Sequence, residues 1–109
     1  MIFHEDLRKA DINTASTGDN VIITGIAGAT IVIDHINLIP TTAVKVQLKD
    51  GSTNYGGPYP LDAKQAFVLD NNYDSDRGII TLSQGEDFII NLESAVQVGG
   101  FVRYRVIGQ

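Results

Sequence analysis

The sequence predicts an all-β fold: a single-domain antiparallel β-sandwich, built as a jelly roll of about eight strands. Three observations lead there. Apolar residues recur at every second position in many short segments, as half-buried strands require. Gly and Pro turn signals separate those segments about every 8–12 residues. No segment carries the i, i+3, i+4 spacing of an amphipathic helix. With 109 residues, 43% of them hydrophobic and 19% charged, the chain suits one globular core and little more.

Taken in order, residues 1–19 are polar and punctuated only by Ile2, Phe3, Leu7 and Ile12. They form an N-terminal arm or edge segment, and residues 20–109 form the sandwich domain. Two readings of that first segment stand side by side: a frayed terminus with one edge strand, or an arm that adds a strand to a neighbouring subunit. Val21, Ile22, Ile23 and Thr24 are β-branched and stop at Gly25, with a second break at Gly28. Residues 30–39 follow, ended by Pro40. Their alternation changes phase at Asp34 and His35, which predicts a bulge or a strand covered on both faces.

Residues 43–49 alternate most cleanly. Val44, Val46 and Leu48 share one face, and Lys45, Gln47 and Lys49 share the other; Asp50-Gly51 then supplies a tight turn. Residues 54–60 (NYGGPYP) hold two Gly and two Pro, which fits a surface loop or a broken edge strand. Residues 66–69 read as a short strand and residues 70–78 as a polar loop. Residues 79–82 and 87–93 are strands, and residues 96–98 lead through Gly99-Gly100 into a last strand over 101–107.

Composition excludes several kinds of chemistry. There is no Cys, so thiolate zinc sites, disulfides and thiol nucleophiles are absent. The formal charge is −5 and the eight Lys and Arg residues are scattered, which argues against a nucleic-acid partner. No stretch approaches the ~18 apolar residues of a membrane span. The acidic start, with no apolar run behind it, lacks the pattern of a signal peptide, so a soluble protein made in the cytoplasm is expected.

Candidate catalytic groups do not converge. His4 and His35 lie in different segments, and no nucleophile-elbow pattern accompanies either. The expectation is a protein that is not an enzyme and needs no cofactor. Asp70, Asn72, Asp74 and Asp76 occupy alternate positions, and such a loop can offer several oxygens to Ca²⁺. Ser75 stands where the calcium-loop pattern has Gly, and Thr81 where it has Glu. A solvated turn is therefore the main reading and calcium the weaker one. Tyr55 and Tyr59 flank the Gly56-Gly57-Pro58 turn, where they can pack, contact a protein or stack on a sugar ring. Arg103 and Arg105 share a face of the last strand, either solvated or salt-bridged across a subunit interface.

Residues 16–23 (STGDNVII), 26–33 (IAGATIVI) and 92–104 (LESAVQVGGFVRY) resemble small structural proteins encoded in tailed-phage genomes. Residues 48–53 (LKDGST) and 57–61 (GPYPL) fall where that pattern has a charged turn and a Gly-Pro-Leu stretch. The resemblance spans roughly residues 16–107, and the chain departs from it by a longer acidic loop at 70–78 and a polar start. It implies a capsid decoration (cement) protein, assembled in the host cytoplasm and seated on the outer surface of a virion head. The implied partners are the major capsid protein and further copies of the chain, most simply as a trimer. Under that reading Ile2, Phe3, Leu7 and Ile12 contact the capsid, and Tyr55, Tyr59, Arg103 and Arg105 contact other subunits. The alternative is a tail- or fibre-associated module, or a carbohydrate-binding one.

Overall fold

Glycine and proline cut the chain into segments that can hide apolar side chains only by stacking as sheets, and the computed structural model, which describes residues 7–71 and 78–108, realises that arrangement. Its strands are β1 (Arg8–Thr14), β2 (Gly18–Ile23), β3 (Ala29–Pro40), β4 (Val44–Asp50), β5 (Thr53–Asn54), β6 (Tyr59–Leu61), β7 (Phe67–Asp70), β8 (Ile80–Thr81), β9 (Phe88–Leu92) and β10 (Val98–Gly108). One sheet, A, runs β1-β10-β3-β7, with β8 also on β3; the other, B, runs β2-β9-β4-β5, with β6 also on β4. Every pairing among them is antiparallel.

β5 and β6 share the outer side of β4, and β7 and β8 share the outer side of β3. Counting each of those pairs as one position gives eight positions, in the order 1-8-3-6 and 2-7-4-5. That is the jelly-roll order, with the chain crossing between sheets at nearly every connection. The broken edge strand expected at residues 54–60 is the β5–β6 pair. The last strand, expected over 101–107 with 96–98 leading into it, is β10, which begins at Val98 and passes straight through Gly99-Gly100.

The core lies between the inner faces. Sheet A contributes Ile12, Ile31, Ile33, Ile36, Leu38, Val98 and Val102, and sheet B contributes Ile23, Val44, Val46, Leu48, Phe88, Ile90 and Leu92. Each fully buried aliphatic side chain of this kind contributes about 1.5–3 kcal/mol. The clean alternation of β4 arises because its even-numbered residues meet the core while Lys45 and Gln47 face outward.

The phase change in β3 is a bulge. Arg103 pairs with His35 and Tyr104 with Ile33, so Asp34 is the extra residue. Before it, Ile31 and Ile33 face the core; after it, Ile36 and Leu38 do. The polar loop leaves and returns at this point. The Asn71 amide donates to the Asp34 carbonyl at 2.9 Å, and the Ile79 amide donates to the Ile33 carbonyl at 2.8 Å. Gly78 sits at φ +65°, where an added Cβ would lie 2.3 Å from the Ile33 carbonyl oxygen. Only glycine fits so close an approach at positive φ.

Residues 8–14 are β1, an integral edge strand of sheet A, so the edge-strand reading applies to them. Residues 1–6 lie outside the described residues.

Candidate interaction face

Strand register maps the outer face of sheet A into rows. One row is Val68, Asn37, Phe101 and Asp11; the next is Asp70, His35, Arg103 and Lys9; at the other side stand Ile39, Gly99 and Asn13. Ile39 is 49% exposed and Val68 55% exposed. Gly99 has nothing within 4 Å of where a Cβ would be, so it leaves a shelf between them and Asn13.

Phe101 organises the middle of this face. Its ring centroid lies 5.4 Å from that of His35, and the Arg103 guanidinium lies 5.4 Å from the same ring. The Phe101 amide donates to Asn37 Oδ1 at 3.3 Å, which leaves Asn37 Nδ2 to donate to His35 Nε2 at 3.0 Å. His35 Nδ1 then carries the hydrogen that reaches Asp70 Oδ1 at 3.2 Å. One tautomer of His35 thus satisfies all its neighbours. The result is a braced aromatic and cationic cluster beside two exposed aliphatic side chains.

A buried ion pair anchors the adjoining end of the face. Arg105 donates through Nε to Asp34 Oδ2 at 2.7 Å and through Nη2 to Asp34 Oδ1 at 3.0 Å. Asp34 is 3% exposed, and Asn71 Nδ2 adds a donor to its Oδ1 at 3.4 Å. The forked geometry matches a carboxylate in two places at once. Among the described residues, every buried side-chain nitrogen or oxygen has a hydrogen-bond partner.

The outer face of sheet B is of another kind. Lys49 Nζ lies 3.1 Å from both oxygens of Asp19, and Asn91 Nδ2 donates to Asp19 Oδ1 at 2.7 Å. The Asn91 hydrogen bond and then the Lys49 ammonium hold the Asp19 carboxyl below the ordinary carboxylate range. Lys45 faces Glu93 at 3.8 Å, and Gln47 Nε2 donates to the Gly56 carbonyl at 3.1 Å, tying the NYGGPYP turn to the sheet.

The residues singled out from sequence are scattered. Ile12 is 1% exposed and belongs to the core, because inward positions of β1 are covered by sheet B; it is not a capsid-contact residue. Leu7 is half-buried ahead of β1, and Ile2 and Phe3 lie outside the described residues. Tyr55 is 43% exposed and its hydroxyl donates to the Ile79 carbonyl at 3.2 Å. Tyr59 is half-buried, its ring 4.6 Å from that of Phe67. Arg105 is paired with Asp34 within the chain, whereas Arg103 stands on the outer face over Phe101. Asp70 pairs with His35; Asn72, Asp74 and Asp76 lie outside the described residues. Among those described, no three metal-ligating side chains come together. Sequence reasoning missed Ile39, Val68 and Phe101; the outward phase of Ile39 after the bulge was the signal available for it.

Two open clefts flank the sandwich. One of about 340 Å³ is lined by Tyr55, Gly78, Ile79 and Thr81, and one of about 250 Å³ lies beside Lys45, Leu61 and Glu93. No helix among the described residues is long and apolar enough to cross a membrane. In comparisons with known proteins, no family model, curated protein or solved structure matches the chain.

Proposed function

We propose that this chain is a structural protein of a tailed-phage virion, a capsid decoration protein that docks on the outer surface of the head through the outer face of sheet A. The observation that carries the reading is the make-up of the outer face of sheet A: Ile39 and Val68 stand exposed beside the Phe101–Arg103 cluster, whereas the outer face of sheet B, which exposes Val21, is dominated by the Lys49–Asp19 and Lys45–Glu93 ion pairs. Exposed apolar groups beside an Arg and an aromatic ring are the composition of a protein-binding surface. The resemblance at residues 16–107 supplies the partner class, the major capsid protein. Such binding reinforces a shell by mass action, since a ligand that holds only the assembled state stabilises it, and no bond is made or broken. The protein works there as a homo-oligomer without a cofactor.

Mass spectrometry of purified virions and co-sedimentation with isolated heads test this reading. The chain should be present in the particle and should saturate on heads that lack it. The double variant Ile39→Asp, Val68→Asp should keep the fold and lose at least tenfold in affinity for heads. Absence of the chain from virions would refute the virion assignment, and full head binding by the double variant would refute the assignment of the face.

A further inference from the structure

A jelly roll has open edges, and this one protects them unequally. β2 is bulged between Val21 and Ile23, β7 has four residues, β8 and β5 have two each, and β6 has three with Pro60 among them. Bulges, brevity, proline and charged side chains are devices that keep a sheet edge from pairing with an arbitrary chain. β1 has only the charges. It is seven residues long, regular in register against β10 throughout, and no described strand pairs with its outer side.

What β1 does carry is a pair of opposite charges. Lys9 and Asp11 both point to the outer face, 3.2 Å apart, with side chains 54% and 72% exposed. Two copies of β1 can pair antiparallel so that outward side chains oppose outward ones, which keeps both cores beneath one continuous sheet. Centred on Lys9, that pairing sets Lys9 against Lys9; centred on Asp11, it sets Asp11 against Asp11. Centred on Ile12, it sets Asp11 against Asn13. Centred on Ala10, it sets each Lys9 opposite the second copy's Asp11, with the small Ala10 on the two-fold axis. One register alone converts the outward charges into two cross-strand ion pairs.

We infer that the outer edge of β1 is a self-recognition surface, where a second copy of this chain pairs antiparallel about Ala10 and joins the two A sheets. The contact is isologous, so it closes at two copies and grows no further. The register is chosen by charge, and the backbone groups of the edge supply the attraction. The pairing stands apart from the capsid reading, because it needs no residue of the Ile39–Val68–Phe101 patch. It replaces the trimer that the sequence resemblance implies.

Sedimentation equilibrium of the full chain gives the first test, with a mass of two chains expected across the micromolar range. Lys9→Glu and Asp11→Lys, made separately, each place like charges opposite one another, and each should weaken the dimer at least tenfold. Mixed together, one of them isotopically labelled, the two variants bring opposite charges together at both positions. They should form a mixed dimer, visible by native mass spectrometry, in preference to either homodimer. The mixed species reports folded chains and an intermolecular contact at once, which a role within one chain cannot mimic. A wild-type mass of one chain or three, undiminished dimers of the single variants, or no preference for the mixed species would each overturn the proposal. Failure of head binding would leave it standing, since no capsid is present in these measurements.

Discussion

On the outer face of sheet B, Lys49 meets Asp19 at 3.1 Å and Lys45 meets Glu93 at 3.8 Å; on the outer face of sheet A, Ile39 and Val68 stand half exposed beside Phe101. The two faces lie on opposite sides of one shared core, so burial alone does not distinguish them. The difference lies in what each residue finds opposite it in register. On sheet B, Asp19 of β2, Lys49 of β4 and Asn91 of β9 land beside each other, and Lys45 of β4 meets Glu93 just past β9. On sheet A, the single extra residue at Asp34 turns a carboxylate into the structure, where Arg105 must follow it. The rest of the face sets aromatic, aliphatic and glycine positions among the polar side chains of Asn37, His35, Arg103, Lys9 and Asp11. A surface ion pair contributes little to stability, whereas a buried one becomes costly as soon as it is halved.

The largest expected effect breaks that buried pair. Arg105→Met strands the Asp34 carboxylate and should cost about 3–5 kcal/mol in urea unfolding. Adding Asp34→Leu removes the stranded charge and should recover most of the loss. A double variant as unstable as the single one would mean that Asp34 serves the fold through its own backbone and loop contacts more than through Arg105.

Next comes the join of β10 to β3. Gly100 has φ +155°, and a Cβ there would lie 2.0 Å from the Asn37 carbonyl oxygen. Gly100→Ala should therefore cost about 1–3 kcal/mol through strain and displaced backbone. Gly99→Ala, with open space around it, should be far milder. Equal thermal shifts for the two would contradict the close approach at Gly100.

Phe101→Ala removes the ring shared by His35 and Arg103 and should cost about 1–2 kcal/mol, in keeping with an aromatic contact and a cation–π contact at a half-exposed site. Its effect on head binding should exceed its effect on stability, while Lys45→Ala on sheet B should change neither.

The smallest effect sharpens the comparison from the other face. Because folding lowers the Asp19 pKa, its contribution to stability is present above the unfolded-state value of about 3.9 and is lost as pH falls through the folded value. Asn91→Ala removes the largest single cause, a hydrogen bond, and Lys49→Ala removes both a hydrogen bond and a positive charge, so each should raise the Asp19 pKa. Carboxyl carbon NMR titration reads this directly. Asp19 is half exposed, so stability should move by no more than a few tenths of a kcal/mol.

Much of the fold was legible before any coordinates. Val44, Val46 and Leu48 name their face by period alone, and the broken phase at Asp34 and His35 announces the bulge. Gly99-Gly100 lies inside β10, where Gly100 lets a neighbouring strand come close and Gly99 leaves a shelf. Ile12 misled: a lone apolar residue in a polar stretch looks exposed until sheet B is laid beneath it.

The candidate face was largely illegible. Arg105 and Asp34 are separated by 71 residues, and nothing local in either segment says that a guanidinium will meet that carboxylate. The same holds for Phe101 with Asn37 and for Val68 beside it.

Local chemistry thus decided where strands begin and end, and which side of each is apolar, because backbone geometry and side-chain alternation act over two or three residues. Partners across strands were decided only by the folded chain. Register depends on how ten segments share one core, and that competition is settled by the whole molecule at once.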